Sequence, residues 1–203
     1  MLVNIQEVLG GFAPKGPGNE QLQFSNVVVE PDRIKAVMIN EVVPADPGDD
    51  FYGQADSPGY LKTTIPLFQK AGVRASTIEQ ILAAGIYLTN AVKRPKTEYT
   101  IPRSMIEESL PFLEKELSLF PNLTVIMLMG DVAKKAFNLI ARSKTNKNVI
   151  PAMATYKIRD EQFYYGKIRV FPSYIMTGKN ILIEKSKFAM AAEDIKRMFE
   201  LIT

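Results

Sequence analysis

Four apolar runs constrain this chain more than anything else in it: Ile34–Asn40 (IKAVMIN), Ile86–Val92 (IYLTNAV), Thr124–Met129 (TVIMLM) and Ile168–Tyr174 (IRVFPSY). Each is short, rich in β-branched or aromatic residues, and continuous rather than alternating. Strands of that kind are buried on both faces, as the central strands of a parallel sheet are. Parallel neighbours cannot be joined by a tight turn, so each link has to cross over, usually as a helix. The segments between the runs have that character. Ser76–Glu79 (STIE) and Ser104–Glu107 (SMIE) each place Glu three residues after Ser, the spacing of a capping box. Beyond the second, Ile106, Leu110, Leu113 and Leu117 make one apolar helix face. Asp131 follows the third run, where it can cap a helix carrying Val132, Ala136 and Leu139. Phe188, Ala192, Ile195, Phe199 and Ile202 trace a last helical face. Tyr156–Ile158 and Gln162–Tyr165 predict a hairpin, and Pro172 predicts that the final strand ends there or has a free edge. The expectation is an α/β protein, a three-layer α/β/α sandwich around a mostly parallel four-stranded central sheet. The 203 residues suit one such domain over 31–203, with residues 1–30, Gly- and Pro-rich around GGFAPKGPGNEQ, wrapping it.

Composition then narrows the chemistry. The chain has no cysteine and no histidine. That excludes disulfides, thiolate metal sites, Cys nucleophiles, imidazole bases and Ser-His-Asp triads. Acid–base work has to use Asp, Glu, Lys or Tyr, and no cofactor or zinc site is expected. A net charge of +3 allows a nucleic-acid partner without demanding one. The first residues lack the basic start and apolar core of a signal peptide, and no run approaches a membrane span, so the expected location is the cytoplasm, with no membrane partner.

Open α/β sheets bind ligands beyond the carboxyl ends of their strands. The first strand feeds NEVVPADPGDDFYG, with Glu41, Asp46, Asp49 and Asp50 followed by Phe51 and Tyr52. An acid just past a buried strand is partly desolvated, which raises its pKa and suits it to orient or deprotonate water. Asp46, Asp49 and Asp50 have a second reading as solvated Asx and Pro turns, and a third as oxygen ligands for Mg²⁺ or Ca²⁺, without EF-hand spacing. Asn90 is an amide inside an apolar run. It is either satisfied by the backbone or reads the edge of a heterocycle, because its C=O and NH₂ complement an imide. Lys93, Arg94 and Lys96 follow as a basic patch. Gly130 precedes a helix N-terminus that offers amides to an anion. The TGKN of the last loop lacks the first Gly and the Ser/Thr of a P-loop, and no GxGxxG follows any strand, so nucleotide hydrolysis is discarded.

In order along the chain these stretches resemble the uracil-DNA glycosylase superfamily, nearest to its thermophile-type iron–sulphur branch. Asn40-Glu41-Val42-Val43-Pro44 stands where that branch has Gly-Glu-x-Pro-Gly, and GIYLTNAVKRPK is similar to its VYITNVVKCRP. SLPFLEKELSLFPNL and VIMLMGDVAKKAF follow in family order, and Phe171–Met176 takes the place of the closing Tyr-His-Pro-Ser motif. The resemblance implies a base-excision enzyme acting on DNA, single-stranded DNA included, that carries a damaged base. Glu41 would stand near the water that attacks C1′. Asn90 would read the base edge and Phe51 or Tyr52 would stack on it. Lys93, Gly130, Ser173, Tyr174, Lys179 and Asn180 would contact the DNA. The motif imidazole is absent and Ile175 stands in its place, which leaves Lys179 or Asn180 to stabilise the leaving base. The cluster-ligating cysteines are missing, so no iron–sulphur cluster can form by that route. The alternative implied is a catalytically degenerate member that binds nucleic acid or a small heterocycle, or an enzyme for another substrate on the same fold.

Overall fold

The structure, a computed structural model, describes residues 1–14 and 21–203. Residues 15–20, within the Gly- and Pro-rich stretch, lie outside the described residues. Four strands run parallel: β3 (Ala36–Val42), β4 (Ile86–Val92), β5 (Val125–Met129) and β7 (Ile168–Ser173), each within or overlapping one of the four apolar runs. The sheet has five strands, not four, in the order β4-β3-β5-β7-β6. The added edge strand, β6 (Phe163–Tyr165), pairs antiparallel with β7. The hairpin is therefore between residues 163–165 and 168–170. Tyr156–Ile158 is not a strand but lies in the short helix α6 (Thr155–Ile158). Pro172 finds the free edge expected of it. β6 pairs only as far as Val170, so no β6 partner stands beside a residue that has no N–H to offer.

A separate two-stranded pairing joins β1 (Val3–Asn4) to β2 (Val28–Val29), and α1 (Ile5–Phe12) lies against α4 (Arg103–Leu117). α4 and α5 (Asp131–Thr145) pack on each other, with α4 contacting β4 and α5 contacting β3 and β5. α2 (Leu61–Lys70) packs on α8 (Lys185–Ile202), which covers β5 and β7, while α3 (Ile78–Ala83) precedes β4 and α7 (Lys179–Ile183) precedes α8. Every residue of β4 and β5 is buried, as the continuous apolar pattern requires.

Helix starts depart from the expected caps in an instructive way. Ser76 does not cap α3. Thr77 does, its hydroxyl accepting from the Gln80 amide, while the Gln80 side chain accepts from Ser76 N–H. The box slides because Gln serves as well as Glu. α4 begins at Arg103 behind Pro102 with no side-chain cap, so Ser104 is already inside the helix. Gly130, not Asp131, is the N-cap of α5, and Asp131 pairs instead with Lys134 one turn on. Among the described residues, no helix is long and apolar enough to cross a membrane.

Candidate functional site

The carboxyl ends of β3, β5 and β7 surround a cavity of about 440 Å³ whose lining includes Glu41, Gly130, Tyr156, Tyr174, Asn180 and Lys187. Glu41 is the penultimate residue of β3. Its carboxylate accepts a hydrogen bond from the Val132 amide, at 3.1 Å, in the first turn of α5. Two effects compete there. The amides of a helix N-terminus favour a negative charge, whereas burial disfavours it. Burial wins, and Asp131 adds to it, so the Glu41 carboxyl titrates above its ordinary value of 4.5 despite the Val132 and Asp131 amides and the Lys96 ammonium. A carboxylate of that kind is held in one orientation and is more basic than a solvated one, which suits it to draw a proton from water.

Gly130 makes this docking possible. Its φ of +115° lies where side chains are rarely tolerated, and a Cβ there would collide with the Glu41 carboxylate. The residue expected to offer amides to a phosphate thus serves as the close-approach point for Glu41. Ser173 also borders the cavity, but its hydroxyl is turned away and donates to Asp194 at 2.6 Å. Asp194 is held in turn by Arg159 and Arg197. Ile175 is part of the cavity wall, and Phe171, the residue just before Pro172, lies under the Arg169 guanidinium at 4.3 Å. Neither position offers a hydrogen-bond donor to a departing base. Of the two polar substitutes, Asn180 lines the cavity, while Lys179 is exposed and outside that lining.

Asn90 is not in this cavity. Successive residues of a strand face opposite sides of the sheet, so Glu41 points to the α5 side and Asn40 to the other. Asn40 and Asn90 are register partners on β3 and β4, and their side chains meet. The Asn40 amide donates to the Asn90 carbonyl at 2.9 Å, and the Asn90 amide donates to Asp50 at 2.9 Å. The Thr177 hydroxyl completes the chain by donating to the Asn40 carbonyl at 3.1 Å. Asp50 is held above its usual carboxylate value by burial, against the pull of Asn90 and the Phe51 amide. Asn90 is 1% exposed and Asn40 is fully buried. The embedded amide is therefore satisfied by side chains, where backbone partners had been the structural expectation.

Of the remaining expected contacts, Lys93 is enclosed, while Phe51 and Tyr52 are buried rings that border a different cavity, of about 690 Å³, formed with residues of α2 and α3. Phe51 is wholly buried with its ring against Tyr60 at 5.2 Å. Tyr52 stacks on Tyr87 at 5.7 Å and accepts from the Leu88 amide, so its ring is a core element. Lys93 points into the α4 side of the sheet, where it pairs with Glu116 at 2.6 Å and donates to Thr89. Tyr87 and Thr89 also donate to Glu116, which leaves that carboxylate fully partnered and Lys93 turned away from any groove. The acids of the first loop are engaged one by one. Asp46 accepts from the Gly48 amide, Asp49 from the Gly59 amide, and Asp50 from Asn90. Among the described residues, no group of three or more acids is gathered to hold a metal ion.

Asn40, Asp50 and Thr177 were not singled out by sequence as one unit with Asn90, though a signal existed. Asn40 is an amide in an apolar strand just as Asn90 is. Tyr156, read from sequence as part of a hairpin, and Lys187 reach the cavity from α6 and α8, and neither was marked as a site residue.

A family model described as the Uracil DNA glycosylase superfamily matches residues 40–193, well over half of the chain. No curated protein matches it. The match begins at Asn40, beside Glu41, and runs through β4, β5 and β7 into α8, covering every strand end that borders the cavity. The chain therefore belongs to the uracil-DNA glycosylase superfamily.

Proposed function

We propose that this protein is a DNA glycosylase-like hydrolase that cleaves the N-glycosidic bond of a damaged base extruded from DNA, with Glu41 as the water-positioning carboxylate. The observation that carries the reading is the docking of Glu41 on the first turn of α5, inside a cavity at the strand ends. In the proposed step a water oxygen bonds to C1′ of the deoxyribose as the C1′–N bond breaks. The base leaves with that electron pair, and the water proton passes to Glu41. Extrusion costs a few kcal/mol of stacking and pairing. Leu182 and Ile183, 47% and 74% exposed beside the cavity residues Asn180 and Ile181, supply an apolar edge of the kind that wedges between base steps. Lys179 and Lys185 flank them as candidate phosphate contacts.

The leaving-group side is the weak half of the machinery. Loss of one donor to a developing anion costs about 2.7–4 kcal/mol elsewhere. Asn180, Tyr174 and Lys187 are donor-bearing side chains in the lining of the cavity. A second reading, nucleic-acid binding without excision, draws support from Ile175 and from the enclosed Asn90. The assay that decides uses single- and double-stranded DNA carrying uracil, xanthine or hypoxanthine, followed by alkali cleavage of abasic sites. Breaks that disappear in Glu41→Gln support the hydrolase. Salt-sensitive DNA binding with no breaks on any substrate supports the second reading.

A further inference from the structure

We infer that Asn40 and Thr177 form a latch that withholds the Asn90 amide from a base, making Asn40 the residue that decides whether Asn90 can bind one. The inference rests on the excision reading for the choice of ligand, but not for its geometry. Asp50 fixes the polarity of the chain of amides. A carboxylate only accepts, so Asn90 must present NH₂ to Asp50 and C=O to Asn40. Asn40 then presents C=O to the Thr177 hydroxyl. Both functional ends of Asn90 are used, and the acceptor an imide N–H would seek is taken by Asn40.

The latch is also fastened to α2. Thr177 belongs to the segment between β7 and α7, and the same segment is tied to α2 by the Thr63 hydroxyl, which donates to the Met176 carbonyl at 2.8 Å. Tyr60, the residue before α2, donates to the Val42 carbonyl at 2.6 Å and so ties the start of α2 to the end of β3. Gly178, at a φ of +89°, ends the segment at the only residue type that takes such a conformation freely. Met176 and Thr177 are therefore fastened beside Asn40, at one point by Thr63 and at another by Asn40 itself. The Thr63 bond runs to a main-chain carbonyl. The Asn40 bond is the side-chain one, and it also occupies Asn90.

The ligand chemistry follows from the amide that the latch hides. An exposed Asn90 would offer one acceptor and one donor side by side, the complement of the N3–H and carbonyl of a uracil-type imide. With the latch closed, Asn90 does not read such a base.

The test uses free uracil as the probe and no DNA, followed by the side-chain amide NMR signals of ¹⁵N-labelled full-length protein. The wild type is expected to show no saturable uracil-dependent shift of the Asn90 NH₂ group. Asn40→Ala, which frees the Asn90 carbonyl, is expected to gain saturable binding at least tenfold tighter than wild type, and Thr177→Val, which unfastens Asn40 from residue 177 but leaves its bond to Asn90, a smaller gain of the same kind. Adding Asn90→Ala to either should abolish the gain. Loss of packing alone would weaken binding, not create it. A wild type that binds uracil through Asn90 as tightly as the variants overturns the latch, as does a folded Asn40→Ala protein that binds none. Because the titration involves no excision, its result stands apart from the strand-break assay, whose failure would remove the hydrolase reading alone.

Discussion

The ends of β3 and β4 carry the two polar groups that the sequence marks out, and the fold treats them in opposite ways. Glu41 is buried against a helix N-terminus but borders open space, with burial raising its pKa and, among the described residues, no counter-ion bonded to it. Asn90, on the neighbouring strand, is enclosed in a chain of hydrogen bonds from Thr177 to Asp50. One group is held in an energetically uncomfortable state beside a cavity, and the other is fully satisfied and away from it. Sites that do chemistry tend to be of the first kind, because an activated group is a destabilised one. Substitutions should therefore separate them. Glu41→Gln should lower excision by at least ~10²-fold, the range for a positioned general base. The same change removes a buried charge, so its thermal midpoint should equal or exceed that of the wild type. A Glu41→Gln protein that excises normally, or that unfolds, would erase the distinction.

Asn90→Ala should do the reverse. It leaves the Asn40 NH₂ and the Asp50 carboxylate without their shared partner in a closed interior, at a cost of about 1–3 kcal/mol. Urea unfolding of Asn40→Ala, Asn90→Ala and the double variant measures the link directly. A coupling energy of about 0.5–3 kcal/mol is expected for contacting residues in one network. Simple additivity would mean that the two amides do not act together.

Gly130 sets how far the comparison depends on one backbone point. Gly130→Ala forces a side chain into a positive-φ position and into the Glu41 carboxylate. The strain alone is of order 1–3 kcal/mol. Glu41 must also leave the Val132 amide, so excision should fall along with the denaturation midpoint. An activity loss without any loss of stability would show that only Glu41 had moved.

The sheet was legible because continuous apolar runs are a two-sided burial signal, and all four of them became parallel strands. β6 was harder. Phe163–Tyr165 is three aromatics whose burial alternates only in the folded sheet, and Tyr156–Ile158 became helix, since three residues cannot display a period. Gly130 and Glu41 were each marked by their place after a strand, yet not that one exists to receive the other, which depends on a through-space approach of β3 to α5. Lys93, Phe51 and Tyr52 are turned inward for one reason. The path of a loop beyond a strand end decides whether its side chains face the cleft or fold back into the core, and composition is the same either way. Lys93 in particular looked like the head of a basic patch until Glu116, far along the chain on α4, turned out to face it.

The smallest effect is the most specific to the contrast between the two strand ends. Asp50, like Glu41, has its carboxyl raised above the ordinary value, here 3.8, chiefly by burial. A folded state that holds a proton more tightly than the unfolded chain gains stability at low pH. That gain is full below the unfolded pKa and is lost as pH rises through the folded one. Asp50→Asn removes the titration and leaves a hydrogen-bonding difference that does not vary with pH. The stability of the wild type relative to Asp50→Asn should therefore improve steadily as pH is lowered from 7 towards 4 in urea melts. Glu41→Gln should show the same sign, from its own raised carboxyl. Excision should show an acid limb centred above pH 4.5, because the ionised Glu41 is the working form. If the limb disappears when Asp50 is replaced but persists when Glu41 is, the working carboxylate lies at the Asn90 end, and the roles of the two strand ends are exchanged.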